Sequence, residues 1–324
     1  MKIKGRLGLW LLIPAWILVF AARLTQIIAG TDMEHGFLKD DNGVCMNFCF
    51  WGAVILTLAA GIAAAVFDRK KDGVLYTVPV SGITDGRAAA IGFALLLPAM
   101  AALYEGYCEA VIPAESNISP SPFMMVVNFA FGAAMLVTAF VTLYFKEFKP
   151  GLGFAMVTGA GYYTLCGIGV FLERMAITTV PEYLINCISM ILAAIFFMQL
   201  AKLLSGNEGK RTRETLTVSG TVAAVTILGN AAAVIAASLA GPAEVAGRIV
   251  MSSNEAEMLY QLSYGRDAYY MSYMTISLAA GGLFIVVTLI ALNMKPKPAV
   301  EAAAEEETAE ETPTDETAEN ADGE

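Results

Sequence analysis

The stretch PFMMVVNFAFGAAMLVTAFVTLYF, from Pro122 to Phe145, holds no charged side chain and decides the fold. A bilayer core takes about 20 apolar residues in helix, and this run is long enough to cross it. Its apolar residues are continuous rather than alternating, which excludes a membrane β-barrel strand. Only helices or closed barrels satisfy their backbone hydrogen bonds in lipid, so a helix is required.

Working outward, similar runs lie near Leu7–Gly30, Cys45–Phe67, Ala88–Val111, Leu152–Phe171, Tyr183–Leu204, Leu216–Ala240 and Met271–Asn293. The sequence therefore predicts an all-α, polytopic transmembrane bundle of about eight spans. The composition agrees: 57% of residues are hydrophobic and 15% charged. A soluble domain carries roughly a quarter charged residues. The basic start and long first run predict an uncleaved span rather than a signal peptide.

Lys and Arg set the orientation. With the N-terminus inside, the inner segments hold 15 of the 20 basic residues, from Lys2, Lys4 and Arg6 through to Lys295 and Lys297. The outer segments hold Lys39, Arg174, Arg248 and Arg266, and Arg23 falls within the first span. Both termini are thus expected in the cytoplasm. The formal net charge is −10, but residues 300–324 are strongly acidic and hold no Lys or Arg, so the body is near neutral. Such a balance gives no nucleic-acid surface. Residues 1–298 read as the transmembrane domain, and 299–324 as an acidic tail too poor in apolar residues to fold.

Charges within spans cost roughly 2.5–3.5 kcal/mol each, so they are the functional leads. Arg23 lies two turns before the outer end of the first span. Glu105 and Glu109 share a face near the outer end of the third, and Glu173 ends the fifth. A solute pocket open to the outside would use Arg23 to hold an anionic group and a carboxylate to exchange protons, with Arg23 facing Glu105. The plain alternative is interfacial snorkelling with one structural ion pair.

The five cysteines, Cys45, Cys49, Cys108, Cys166 and Cys187, all fall in the outer half. With His35 in the adjoining loop, Cys45, Cys49 and Cys108 form a conceivable metal or thiol set, although no CxxC pair is present. Plain packing of small apolar thiols is the alternative. No cofactor is expected. Glycines pair at Gly151/Gly153, Gly159/Gly161 and Gly167/Gly169, which suggests a tightly packed central fifth helix. Asn128, Gln199 and Asn230 are isolated amides at membrane depth. The outer segment Gly241–Tyr270 carries a capping box at Ser252 and Glu255, which predicts a short surface helix. That segment and the acidic tail are candidate contact surfaces for a protein partner.

Arg23-Leu24-Thr25-Gln26 followed by Thr31-Asp32-Met33-Glu34-His35-Gly36-Phe37 resembles a set of uncharacterised multi-pass membrane proteins of anaerobic Gram-positive bacteria. There, Arg-Leu-x-Gln precedes Asp-x-x-Thr-Gly-Phe. This chain has one extra residue and His35 in place of the Thr. The resemblance covers about fifteen residues. It implies a bacterial plasma membrane and carries no activity across. The function expected is a small-solute transporter or permease-like protein, without enzymatic activity. A membrane scaffold, sensor or assembly partner is the alternative, and an intramembrane enzyme or thiol or metal site is the second.

Overall fold

The computed structural model describes residues 7–30, 38, 40–72, 83–111, 122–174, 181–207, 209, 211–240 and 273–293. They are nearly all helical. The helices are α1 (Leu7–Gly30), α2 (Asp40–Asp72), α3 (Asp85–Val111), α4 (Pro122–Phe145), α5 (Gly153–Arg174), α6 (Pro181–Leu204), α7 (Thr212–Ala240) and α8 (Tyr273–Asn293). Seven of them, α1 to α7, are long and apolar enough to cross a membrane, and the apolar part of α8, Ile276–Leu292, is shorter. The chain is a multi-pass helical membrane protein. The segment Gly241–Tyr270, expected on the outer side, and the acidic tail lie outside the described residues.

Small residues set the helix pairing. Between α3 and α4, Gly92 faces Leu143, Gly106 faces Asn128 and Gly132 faces Leu103, an antiparallel register along the whole pair. Between α5 and α6, Gly153 meets the backbone of Ala201 and Ser205, Gly159 meets Phe197, and Gly167 meets Met190. In lipid such close approach replaces the hydrophobic drive that soluble helices use. A third group joins α1, α2 and α7 around Val19, Phe50, Ala53, Val54, Val222 and Val225. Gly229 packs on Val19, and Ile27 packs with Ala233 and Ala237, so α1 and α7 run side by side in the same direction.

The central helix differs from expectation. In α7, 78% of the apolar stretch is buried, against 44% in α5 and 22% in α1. Residues Thr221–Ile227 are buried without interruption. Ala, Thr and Ser give α7 a narrow girth on every side, which suits the middle of a bundle. The glycines of α5 and of the turn just before it divide their work. Gly153, Gly159 and Gly167 pack on α6, whereas Gly151, Gly161 and Gly169 meet open space.

Two features bind the ends of helices. A short antiparallel ribbon pairs Ile83 with Phe148 and Thr84 with Glu147, tying the start of α3 to the end of α4. Phe148 is wholly buried there, and Lys146 turns the chain with φ of 50°. At the same site Lys149 lies 3.9 Å over the Phe145 ring. Along the spans, the hydroxyls of Thr57, Thr138, Thr142, Thr164 and Ser219 donate to the carbonyl four residues back, at 2.7–2.9 Å. They are thereby satisfied without a partner from another helix.

Candidate functional site

Two polar clusters interrupt the apolar bundle. The first is built on α1, α2 and α7. Arg23 lies seven residues before the end of α1, about 10 Å from it at the helical rise. It is 1% exposed. Its Nε donates to Asn230 Oδ1 at 2.7 Å, and its Nη1 donates to Gln26 Oε1 at 2.7 Å. Gln26 in turn donates through Nε2 to Asn47 Oδ1 at 2.8 Å. The guanidinium carbon stands 5.9 Å from the Phe50 ring centroid, within reach of a cation–π contact. The planar guanidinium offers five donors in a fixed fork, and Arg23 makes further interactions beyond these. The guanidinium is thus held by one amide of α7 and one of its own helix, and the latter is tied in turn to an amide of α2. Such an arrangement fixes where the guanidinium sits within the bundle.

The second cluster is built on α3, α4, α5 and α8. Tyr162 donates its hydroxyl to Glu105 Oε2 at 3.1 Å. The same hydroxyl lies 3.5 Å from Ser277 Oγ. Phe131 stacks on the Tyr162 ring with centroids 4.0 Å apart, and Tyr163 meets both rings edge-on. Asn128 sits one turn from Phe131 and packs against Gly106, next to Glu105. Two polar atoms here are buried without a hydrogen-bond partner, Asn128 Oδ1 and Tyr163 Oη. Such orphaned groups are expensive and mark places where water or a ligand belongs.

The clusters share a depth. Gly282 of α8 meets Ile227 and Leu228 of α7, and Gly220 of α7 meets Leu289 of α8. This antiparallel register puts Ser277 within about one turn of Asn230. The hydrogen bonds described for Arg23 run to Asn230 and Gln26, and the one described for Glu105 runs to Tyr162.

The other candidates are placed as follows. Glu109 and Glu173 lie in the last turns of α3 and α5, and their side chains are outside the described set, as is that of Cys108. His35 is outside the described residues altogether. Cys45 and Cys49 are exposed on α2, while Cys166 and Cys187 are buried, and all four are free thiols. Among the described residues no group of three potential metal ligands converges. Asn230 acts as interhelical glue for Arg23. Gln199 lines an apolar groove of about 760 Å³ between α5 and α6, with Gly161, Thr164, Leu165 and Cys187.

Sequence reasoning missed Gln26, Asn47, Tyr162 and Ser277. A signal existed for Gln26, three residues after Arg23 and hence on its face. For Ser277 there was none, because a serine hydroxyl in a span usually bonds its own backbone, and for Tyr162 none, because nothing marks it among the twelve tyrosines. No protein-family model, curated protein or solved structure matches this chain.

Proposed function

We propose that this chain is an eight-span plasma-membrane carrier of a small solute bearing an anionic group, with both termini in the cytoplasm. The observation that carries the reading is Arg23. A guanidinium buried in a span is costly, and its cost is met here by amides from α2, α7 and its own helix. A residue that only anchors a helix at the headgroups reaches outward and stays wet. Arg23 is instead drawn into the bundle beside α7, its most buried helix.

The span number and orientation are supported by helix direction. α1 and α7 run parallel, as they must if α2 to α6 each cross once between them. The basic residues gather at the ends joined by the ribbon and by the α6–α7 turn. Glu105, at the depth of Arg23 but in the other cluster, supplies a carboxylate for proton exchange. Glu109 and Glu173 would line the outer approach.

The test is a ligand screen on purified protein in lipid nanodiscs. Small carboxylates, phosphates and their uncharged analogues are compared by thermal shift, in the native chain and in Arg23→Gln. Stabilisation by an anionic member that disappears in Arg23→Gln supports the reading. Stabilisation that persists in the variant, or confined to uncharged members, overturns it. A hit is then followed as uptake into proteoliposomes.

A second reading, a membrane assembly partner, draws on the α5–α6 groove. Its lining is apolar apart from Gln199 and Thr164, and it opens toward the lipid.

A further inference from the structure

The second cluster does more than supply a carboxylate. We propose that Glu105 is a proton-binding site whose occupancy reverses the hydrogen-bond chain Glu105–Tyr162–Ser277, so that protonation moves the tie of α5 from α3 toward α8. This goes beyond the solute reading and stands without it.

The argument begins with donor counting. A phenol has one proton to give, and an ionised carboxylate can only accept. With Glu105 ionised, Tyr162 must spend its proton on Oε2, at 3.1 Å. Ser277, 3.5 Å away, then points its own proton at the Tyr162 oxygen. When Glu105 takes up a proton, its carboxyl becomes a donor. It gives that proton to the Tyr162 oxygen, and Tyr162 is released to donate to Ser277 Oγ. Nothing is oxidised or reduced. One proton from water ends on the Glu105 carboxyl, and the two hydroxyl protons rotate about their own C–O bonds.

The two states differ in strength. A hydrogen bond to an ionised acceptor is roughly twice as strong as a neutral one. The ionised state therefore holds α5 firmly to α3, and the protonated state loosens that bond while turning the donor toward α8. The shorter distance to Glu105 and the longer one to Ser277 match the ionised arrangement.

The surroundings are built for such a change. Facing Glu105 from α5 are Tyr162, Tyr163 and Cys166. From α4 come Asn128 and Phe131, neither of which titrates, and from α8 comes Ser277. On α3 itself Tyr104 adjoins it, and Glu109 lies one turn on. Asn128 Oδ1 and Tyr163 Oη are buried and without a hydrogen-bond partner, so polar groups in this part of the bundle are left unsatisfied. Phe131 stacked on Tyr162 and the close backbone of Gly281 against Tyr163 hold the phenols while protons move.

The test uses infrared difference spectra of the full chain in lipid, between about pH 9 and about pH 4, a range that brackets ordinary and burial-shifted carboxyls. Lowering the pH should raise a protonated-carboxyl carbonyl band together with a shift in a tyrosine C–O band. Glu105→Gln should remove one carboxyl component, read as the native-minus-variant difference over the other 29 acidic residues, together with the tyrosine shift. Ser277→Ala should keep the carboxyl band and change the size of the tyrosine shift, because the released phenol then has no Ser277 oxygen to donate to. Glu105→Asp, which retains a carboxyl, should keep a carboxyl band at a changed midpoint, and this guards against a folding defect in Glu105→Gln. A native-minus-variant difference spectrum with no carboxyl component overturns the site. A carboxyl band without any tyrosine shift in the native chain overturns the switch. Because no solute enters the measurement, its failure is distinct from failure of the ligand screen.

Discussion

Asn230→Leu removes the acceptor of Arg23 Nε while keeping the branched outline of the side chain. The bond it breaks is short, 2.7 Å, buried, and made by a charged donor. Hydrogen bonds to charged groups contribute roughly 1.5–3 kcal/mol, and a buried charged donor left without its acceptor costs at the upper part of that range. A loss of about 2–3 kcal/mol follows. At about 2 °C per kcal/mol for a chain of this size, the midpoint of thermal unfolding falls by about 4–6 °C. Arg23→Met alone leaves Asn230 and Gln26 short of a donor but buries no charge, so it should cost about 1 kcal/mol. The double variant Arg23→Met with Asn230→Leu replaces both partners by apolar groups and should be no less stable than Asn230→Leu alone. The assay is a double-mutant cycle in mixed micelles, unfolding with increasing anionic detergent and following tryptophan emission from Trp16 and Trp51 beside the cluster. Additivity within about 0.5 kcal/mol refutes the reasoning, because independent sites add within that margin.

The α5 glycines give a paired prediction. Gly159→Ala puts a methyl 2.5 Å from the Phe197 ring and should lower thermal stability in detergent by more than 1 kcal/mol, whereas Gly161→Ala meets open space and should be neutral or stabilising through helix propensity, worth about 1 kcal/mol. Maleimide labelling of the folded protein, counted by mass spectrometry, should modify Cys45 and Cys49 rapidly and leave Cys166 and Cys187 unmodified until denaturant is added. In intact cells an impermeant maleimide added outside should reach Cys45 and miss a cysteine introduced beside Lys70, and the opposite pattern refutes the proposed orientation. Removal of residues 300–324 should leave membrane insertion and unfolding midpoint unchanged, measured by fractionation and thermal shift.

The helices were legible in the sequence to within a few residues, because apolar runs bounded by charge state directly where lipid begins and ends. Leu7–Gly30 and Pro122–Phe145 coincide with α1 and α4. What packs on what was not legible. In water a helix marks its inner face with an apolar stripe, but in lipid both faces are apolar and the mark is gone. This is why α5, rich in glycine, looked central, while the Ala- and Thr-rich α7 occupies that place. Arg23 and Glu105 stood out because charge in a span is rare. Their separation into two clusters depends on Asn230 and Tyr162, which sit 207 and 57 residues away in sequence. The ribbon of Ile83–Thr84 with Glu147–Phe148 is too short to leave a period-two signature.

The contact between α1 and α7 also sets a clock. Asn230 is synthesised 207 residues after Arg23, which at about 5–20 residues per second is a wait of about 10–40 s. During that interval α1 stands in the bilayer with Gln26 and the α2 residues Asn47 and Phe50 as company for its guanidinium, and without its deepest partner. Membrane quality-control systems that sense charge in a span have that interval in which to act. The same residue that gives the finished bundle its fixed cation makes the unfinished chain depend on the prompt arrival of its seventh helix.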